Sequence, residues 1–375
     1  MAGDALSRRV YCVLGMPIDF IDMPQALERI AAAAQGAAPH LVSTPNLNFL
    51  ARSLHDPEFQ ESLVRSDLCL ADGTPIVWLA RLLGVPLAER VAGSDVFEAL
   101  GARQGARPMT VFYFGGPEGA ADAACAATNA QAKGLVCVGA RYPGHGTVAE
   151  LSDEAYLQEI NASGAQVLVV ALGAVKGQAW LLRNHDRIRV PVRTHLGATI
   201  NFQAGLIRRA PAALRRLGLE WLWRIKEEPH LWRRYWGDGI SLFRILAARV
   251  LPLLLLSFGQ RLGGAQETAT LRCSVLHGDG DIAVRISGFA TERNIEIAAD
   301  AFRRALRQVE TKRWINVDLS DVHGVDARFL GLLLIVKSEI RRRNAKFRIT
   351  GARRKIARQF RLSGVGALLF SERIA

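Results

Sequence analysis

The chain has 375 residues, half of them hydrophobic and 22% charged, with a formal net charge of +13. This length suits two domains and a large buried core, and the basic excess draws the protein to anions: nucleic acid, anionic lipid headgroups or diphosphates. The five cysteines contain no C-x-x-C pair, which argues against a zinc site or a disulfide framework and for a reducing compartment; Met1–Leu14 has no long apolar run and does not read as a secretory signal.

Short apolar runs alternate with amphipathic stretches from Val10 to Gly205. Strands are predicted at Val10–Leu14, Leu41–Ser43, Leu68–Ala71, Thr110–Phe114, Leu135–Ala140, Val167–Leu172 and Arg193–Leu196. Helices are predicted between them, at Pro24–Ala34, Leu47–Leu54, Pro57–Ser66, Ile76–Leu83, Glu118–Ala132 and Asp153–Ser163. This alternation predicts βαβ units: an α/β, Rossmann-like domain over residues 1–207, with a mostly parallel sheet. Ligands of such sheets bind beyond the carboxyl ends of the strands.

Residues 208–258 differ. From 208 to 261 eleven Lys and Arg stand against four acids, interleaved with Trp221, Trp223, Trp232 and Trp236, and Ile240–Phe258 is apolar apart from Arg244, Arg249 and Pro252. Arginines, tryptophans and an apolar run together describe a helical appendage lying in a membrane interface; two mid-run arginines disfavour a spanning helix. The other reading is an amphipathic helix pair packed on the sheet. Residues 259–270 read as a linker. From 271 to 375 a separate small α/β domain is predicted, with strands at Leu271–Leu276, Ile282–Ile286, Trp314–Leu319 and Lys346–Ile349 and helices at Glu292–Val309 and Phe329–Asn344.

Four turns carry candidate chemistry. Thr44, Asn46 and Asn48 follow a predicted strand and suit either an N-cap or hydrogen bonds to sugar or phosphate. Asp72 stands where a strand meets an Asp-Gly turn, placed for general-base work or for capping the next helix. Arg90, Gly93, Ser94 and Asp95 precede a helix and suit either a diphosphate site or a cap by Ser94. Gly115 and Gly116 form a glycine turn that lets backbone approach phosphate or ribose.

In combination these stretches resemble the WecG/TagA/CpsF glycosyltransferases. The resemblance runs over Thr44-x-Asn46-x-x-Phe49, Ala71-Asp72-Gly73, Arg90-x-x-Gly93-Ser94-Asp95, Gly115-Gly116, Arg209-Ala210-Pro211, Gly218-Leu219-Glu220-Trp221-x-x-Arg224, Glu228-Pro229 and Trp232-Arg233-Arg234-Tyr235. It implies inverting transfer from a UDP-sugar to a polyprenyl-diphosphate-linked sugar, in cell-surface polysaccharide synthesis, by a peripheral protein on the cytoplasmic face of the inner membrane. It puts the base on Asp72, pocket residues on Thr44 and Asn46, and diphosphate-closing arginines on Arg224 and Arg234. Two departures stand out. Leu231 occupies the place of a third arginine, and the family's Gly-x-Pro-Lys-Gln-Glu segment reads Gly173-Ala174-Val175-Lys176-Gly177-Gln178, which keeps Lys176 and offers Gln178 as a nucleotide or sugar contact.

No cofactor or metal is expected, since one carboxylate and a few cations suffice for this transfer. The form Asp279-Gly280-Asp281 lies between two strands of the C-terminal domain and reads as a hairpin turn rather than a metal motif. Residues 271–375 resemble a STAS domain, through Ile315–Asp326, the helix from Phe329 and Leu362-Ser363-Gly364-Val365. That family's Asp-Ser-Ser-Gly turn reads Asp326-Ala327-Arg328-Phe329 here, which predicts docking onto a protein partner or the catalytic domain, or a structural vestige, rather than a phosphorylation switch. The alternative function is an inactive scaffold acting through this domain. Nucleic acid as a partner has only net charge in its favour.

Overall fold

The computed structural model describes residues 4–370 apart from 88, 105–106, 132, 217, 263–269 and 279–280. Its opening strand departs from expectation. β1 (Val10–Val13) does not enter the main sheet; it pairs antiparallel with β2 (Met16–Asp19), and the two-residue turn uses Leu14 at φ 50° and Gly15 at φ 93°. Such a tight antiparallel turn needs left-handed backbone at both central positions.

The predicted parallel sheet is present. It joins β3 (His40–Ser43), β4 (Leu68–Cys69), β5 (Met109–Gly115), β6 (Leu135–Arg141), β7 (Val167–Ala171) and β8 (Val192–His195) in the order β4-β3-β8-β7-β5-β6, every pair parallel. β7 is buried at every position because helices cover both faces of the sheet. Val111, Tyr113, Val167 and Val169 face one core with helices Met23–Ala34, Gly93–Ala102 and Ala120–Gln131. Phe112, Phe114, Leu168 and Val170 face the other, with Trp180, Leu181 and Leu157.

Two expectations change at the edges of this domain. The strand predicted over Leu68–Ala71 stops at Cys69, so Ala71 and Asp72 belong to the loop. Cys125 and Cys137 are disulfide-bonded, with Cα atoms 5.2 Å apart. The Asn129 side chain bonds both the N–H and the carbonyl of Cys137, drawing edge strand β6 against the preceding helix. Cys12 and Cys69 are free and buried.

The appendage forms helices Glu220–Glu227 and Trp232–Ile245, the latter continuing through a π turn (Leu246–Val250) into Leu251–Leu262. The segment Pro229–Phe258 is long and apolar enough to cross a membrane and is mostly exposed. Ile245 and Val250 pack into a core with Ile76, Leu79 and Val85, while Trp232, Trp236, Phe243, Leu251, Leu255 and Phe258 face outward. The helix extends to Leu262, into the stretch expected to be linker.

The C-terminal domain has the sheet order β12-β11-β10-β9. β9 (Arg272–Gly278) pairs antiparallel with β10 (Asp281–Ala290), Gly278 facing Asp281; residues 279–280 of the Asp279-Gly280-Asp281 form lie outside the described residues. β10, β11 (Trp314–Val325) and β12 (Lys346–Thr350) are parallel. β11 runs well past the predicted Leu319. The domain is docked on the catalytic half: Leu6, Val10, Cys12 and Val64 complete its core. A Cβ on Gly331 would lie 2.2 Å from the Val10 carbonyl oxygen, so only glycine permits this helix-to-hairpin approach.

Candidate active site

The site is built at the carboxyl ends of β3, β4 and β8. Asn46 accepts from the Phe49 N–H at 3.1 Å and caps helix Leu47–Ser53, so its capping role is real. Its backbone neighbour Pro45 accepts from the Asp72 N–H at 2.9 Å, which holds the Asp72 loop against the Thr44–Asn46 turn. Gly73, at φ 94°, caps the next helix without any side chain, so Asp72 is not spent as a cap. The Gly93 N–H faces the Asp72 carboxylate and favours its charged form. Thr44 is buried beside Gly93, where a Cβ would lie 2.9 Å from Thr44 Cγ2 and 2.4 Å from Leu196 Cδ2. Thr44, Asn46, Asp72 and Gly93 thus converge from three separate stretches of chain.

Removal from bulk water pushes the Asp72 carboxyl up to about 7, with Glu220 and Asp95 adding to the rise and Arg90 and the Gly93 N–H opposing it. A carboxylate poised near neutrality at a strand's carboxyl end is suited to take a proton from a hydroxyl.

The stretch after Asp72 faces the appendage. Arg90 bonds Asp95 at 2.6 Å and Glu220 at 2.9 Å. Arg209 bonds Asp95 at 2.5 Å and Ser94 Oγ at 3.1 Å, and Arg215 reaches Asp95 at 2.9 Å. Ser94 sits inside the first turn and accepts from Arg209; it does not cap, the N-cap being Ala92. Arg224 pairs with Glu228 at 2.5 Å and lies over the Phe202 ring, which Arg209 also overlies. Arg234 stands beside Asp238 at 3.9 Å, and the Asn48 side chain faces Asp238 and favours its charged form, which brings that helix back to the Asn46–Phe49 turn.

The remaining predicted residues are placed differently. Gly115 and Gly116 have φ of 101° and 85°, and a Cβ on Gly115 would meet the Ala171 carbonyl at 2.6 Å, so close packing on β7 already requires Gly115. Lys176 donates to the Gly146 carbonyl at 2.6 Å. Gln178 is fully buried and donates to Ser43 Oγ at 2.9 Å, its Oε1 left without a partner.

Sequence reasoning missed Glu220, Arg215 and His195 as parts of this region. Glu220 and Arg215 are ordinary helix-surface residues by pattern; only the fold turns them onto Arg90 and Asp95. His195 ends β8, is buried with an unpartnered Nε2, and is held neutral by burial, its pKa down to about 4. A Cβ on Gly177 would lie 2.1 Å from the His195 ring, so the His195 ring takes the room that a side chain at 177 would need. Among the described residues, no three His, Cys, Asp or Glu side chains cluster as metal ligands would.

Residues 11–253 match the glycosyl transferase WecG/TagA/CpsF family. The chain belongs to that family. Residues 273–370 match the Mlab STAS domain, so this WecG/TagA/CpsF glycosyltransferase carries a STAS domain behind its catalytic half. Among curated proteins it is similar to an N-acetylglucosaminyldiphosphoundecaprenol N-acetyl-beta-D-mannosaminyltransferase of Bacillus spizizenii (strain ATCC 23059 / NRRL B-14472 / W23). The identity is 27% over 201 residues, covering 52% of this chain and 73% of the relative. Among solved structures, the crystal structure of SsGBP and GDP complex aligns with 9% identity and a TM-score of 0.20, over 70% of this chain and 98% of that one.

Proposed function

We propose that this glycosyltransferase moves a hexose from a UDP-sugar to a polyprenyl-diphosphate-linked sugar in cell-surface polysaccharide synthesis, working as a peripheral protein on the cytoplasmic face of the inner membrane. The acceptor class rests on the Bacillus relative, whose substrate is an undecaprenol-diphosphate sugar. The observation that carries the chemistry is Asp72, a carboxylate raised to about 7 beside Thr44, Asn46 and Gly93.

In this reading Asp72 takes the proton of the acceptor hydroxyl. The freed oxygen bonds the anomeric carbon from the face opposite the diphosphate, the carbon–diphosphate bond breaks, and UDP leaves with the electron pair, inverting the centre. Arg224 and Arg234 neutralise the leaving diphosphate. Arg90 pairs with Asp95 and Glu220, where it shapes the pocket wall and tempers Asp72.

The test is acceptor-dependent UDP release. Purified protein receives a panel of UDP-sugars and a short-chain polyprenyl-diphosphate-sugar acceptor, beside Asp72→Asn. Release that needs the acceptor and is lost in the variant is the expected result. No release from any donor would instead favour the scaffold function.

A further inference from the structure

Arg249 is the anomaly of the appendage. It stands inside the apolar run, where a charge is costly in lipid and has no acid of its own helix to pair with. In the fold its guanidinium turns away from the outward face and donates to the Arg361 carbonyl at 2.7 Å and the Leu362 carbonyl at 3.4 Å. These carbonyls end the helix Arg354–Leu362 of the STAS domain, where the negative end of the helix dipole favours a cation; the Arg361 carbonyl also accepts from the Gly364 N–H at 3.1 Å, so Arg249 adds a further donor to it. Arg249 also lies in the π turn Leu246–Val250, three residues before Pro252, which has no N–H to give to the helix ladder. Such single π turns are frequent at functional positions.

The other end of the contact is firm. Arg328, buried in the STAS domain, donates to the Val10 carbonyl at 3.1 Å and the Arg8 carbonyl at 3.2 Å. Gln60 bonds the Gly364 and Gly15 carbonyls, at 2.8 and 3.1 Å. Arg342 pairs with Asp67 at 2.7 Å and Arg341 with Glu61 at 2.6 Å. The STAS domain is therefore fixed to the catalytic domain along one face and grips the apolar helix by Arg249 beside that face.

We propose that the STAS domain works in cis as a brace on the membrane helix, with Arg249 as the handle. It holds Trp232–Phe258 in the plane of the lipid interface, stops it from threading the bilayer, and so sets the distance between the lipid surface and Asp72. Trp236, Phe243, Leu251, Leu255 and Phe258 face outward for the lipid while Arg249 faces the brace. This rests on the proposed membrane-acting transferase. The occupant of this STAS surface is the chain's own helix, and Arg249 is a positioning residue.

The experiment compares wild type, Arg249→Leu and Arg249→Gln in the full chain, each checked for unchanged melting and circular dichroism. Two readouts are taken: retention on phosphatidylglycerol/phosphatidylcholine vesicles after a carbonate wash, and KM for a long-chain acceptor in those vesicles against a short-chain soluble acceptor. Arg249→Leu is expected to resist the wash and to raise KM for the vesicle acceptor about five- to tenfold, the scale of one lost intramolecular hydrogen bond, with the soluble acceptor within about twofold. Arg249→Gln can still donate to the carbonyls and is expected to behave as wild type. Unchanged wash and KM in Arg249→Leu would overturn the brace. Equal changes in both variants would also overturn it, since charge alone would then be at work. A wild type that binds no vesicles would sink the membrane reading itself, a separate failure.

Discussion

Arg90 Nη1 lies 2.9 Å from Glu220 Oε2, an ion pair that joins the catalytic sheet to the appendage across 130 positions of chain. Both side chains are largely buried, and the same guanidinium holds Asp95. The pair acts on Asp72 through charge, because Glu220 helps raise it and Arg90 restrains it.

Replacing Glu220 with Gln removes one of the charges that raise Asp72. The Asp72 pKa is expected to fall, and the acidic limb of the pH profile of kcat/KM to move to lower pH. Measuring that profile for wild type and Glu220→Gln checks it; a limb that stays or moves upward would show that Asp72 does not govern it.

Asp72→Asn should reduce transfer by about a hundredfold or more, the contribution of a positioned base. Its effect on stability has the opposite sign. A carboxyl whose folded pKa is raised from 3.8 to about 7 supports the fold fully below its unfolded value and gives that up as pH rises through about 7. Asparagine escapes this loss. The variant is expected to gain stability over wild type at pH 8, by a few kcal/mol at most at about 1.4 kcal/mol per pKa unit, and to gain little at pH 4. Thermal melts at both pH values measure it.

Arg328→Ala removes the side-chain donor from the Val10 carbonyl and from the Arg8 carbonyl just before the hairpin. The cost is expected to be about 1–3 kcal/mol. Gly331→Ala forces a Cβ onto the Val10 carbonyl, 2.2 Å away, with no flexible end to yield, and should destabilise by about 1–3 kcal/mol. Denaturant titrations, with limited proteolysis between the domains, report both.

Trp236 and Phe243 are 69% and 72% exposed on the appendage helix. Replacing both with Asp should abolish sedimentation with anionic vesicles while leaving the melting temperature within about two degrees, because neither packs in a core. Raising salt should weaken wild-type binding, through screening of the appendage arginines.

Much of the fold was legible in local pattern. The run of five apolar residues in β7 and the Asp-Gly turn after β4 are short-range signals, and each marks its element because the hydrophobic period and turn chemistry are fixed by the residues themselves. The motif stretches that hold Thr44, Asn46 and Asp72 likewise come together in the fold, through the Asp72 N–H and the Pro45 carbonyl. Other features were not legible. β1 has the composition of a sheet strand, yet it pairs with β2, because strand partners are chosen by tertiary packing rather than by composition. The Cys125–Cys137 bond has no motif spacing and follows from the way β6 lies on its helix.

The sequence by itself determined the two α/β units, the basic aromatic appendage and the residue types a sugar transfer requires, since these depend on periodicity and on chemistry carried by single side chains. Only the tertiary structure decided which charges meet. It turned Glu220 onto Arg90, raised Asp72 by taking it out of water, put the His195 ring against Gly177 and gave Arg249 the carbonyl ends of a STAS helix. Burial and long-range pairing belong to the folded chain as a whole, and no local stretch of sequence encodes them.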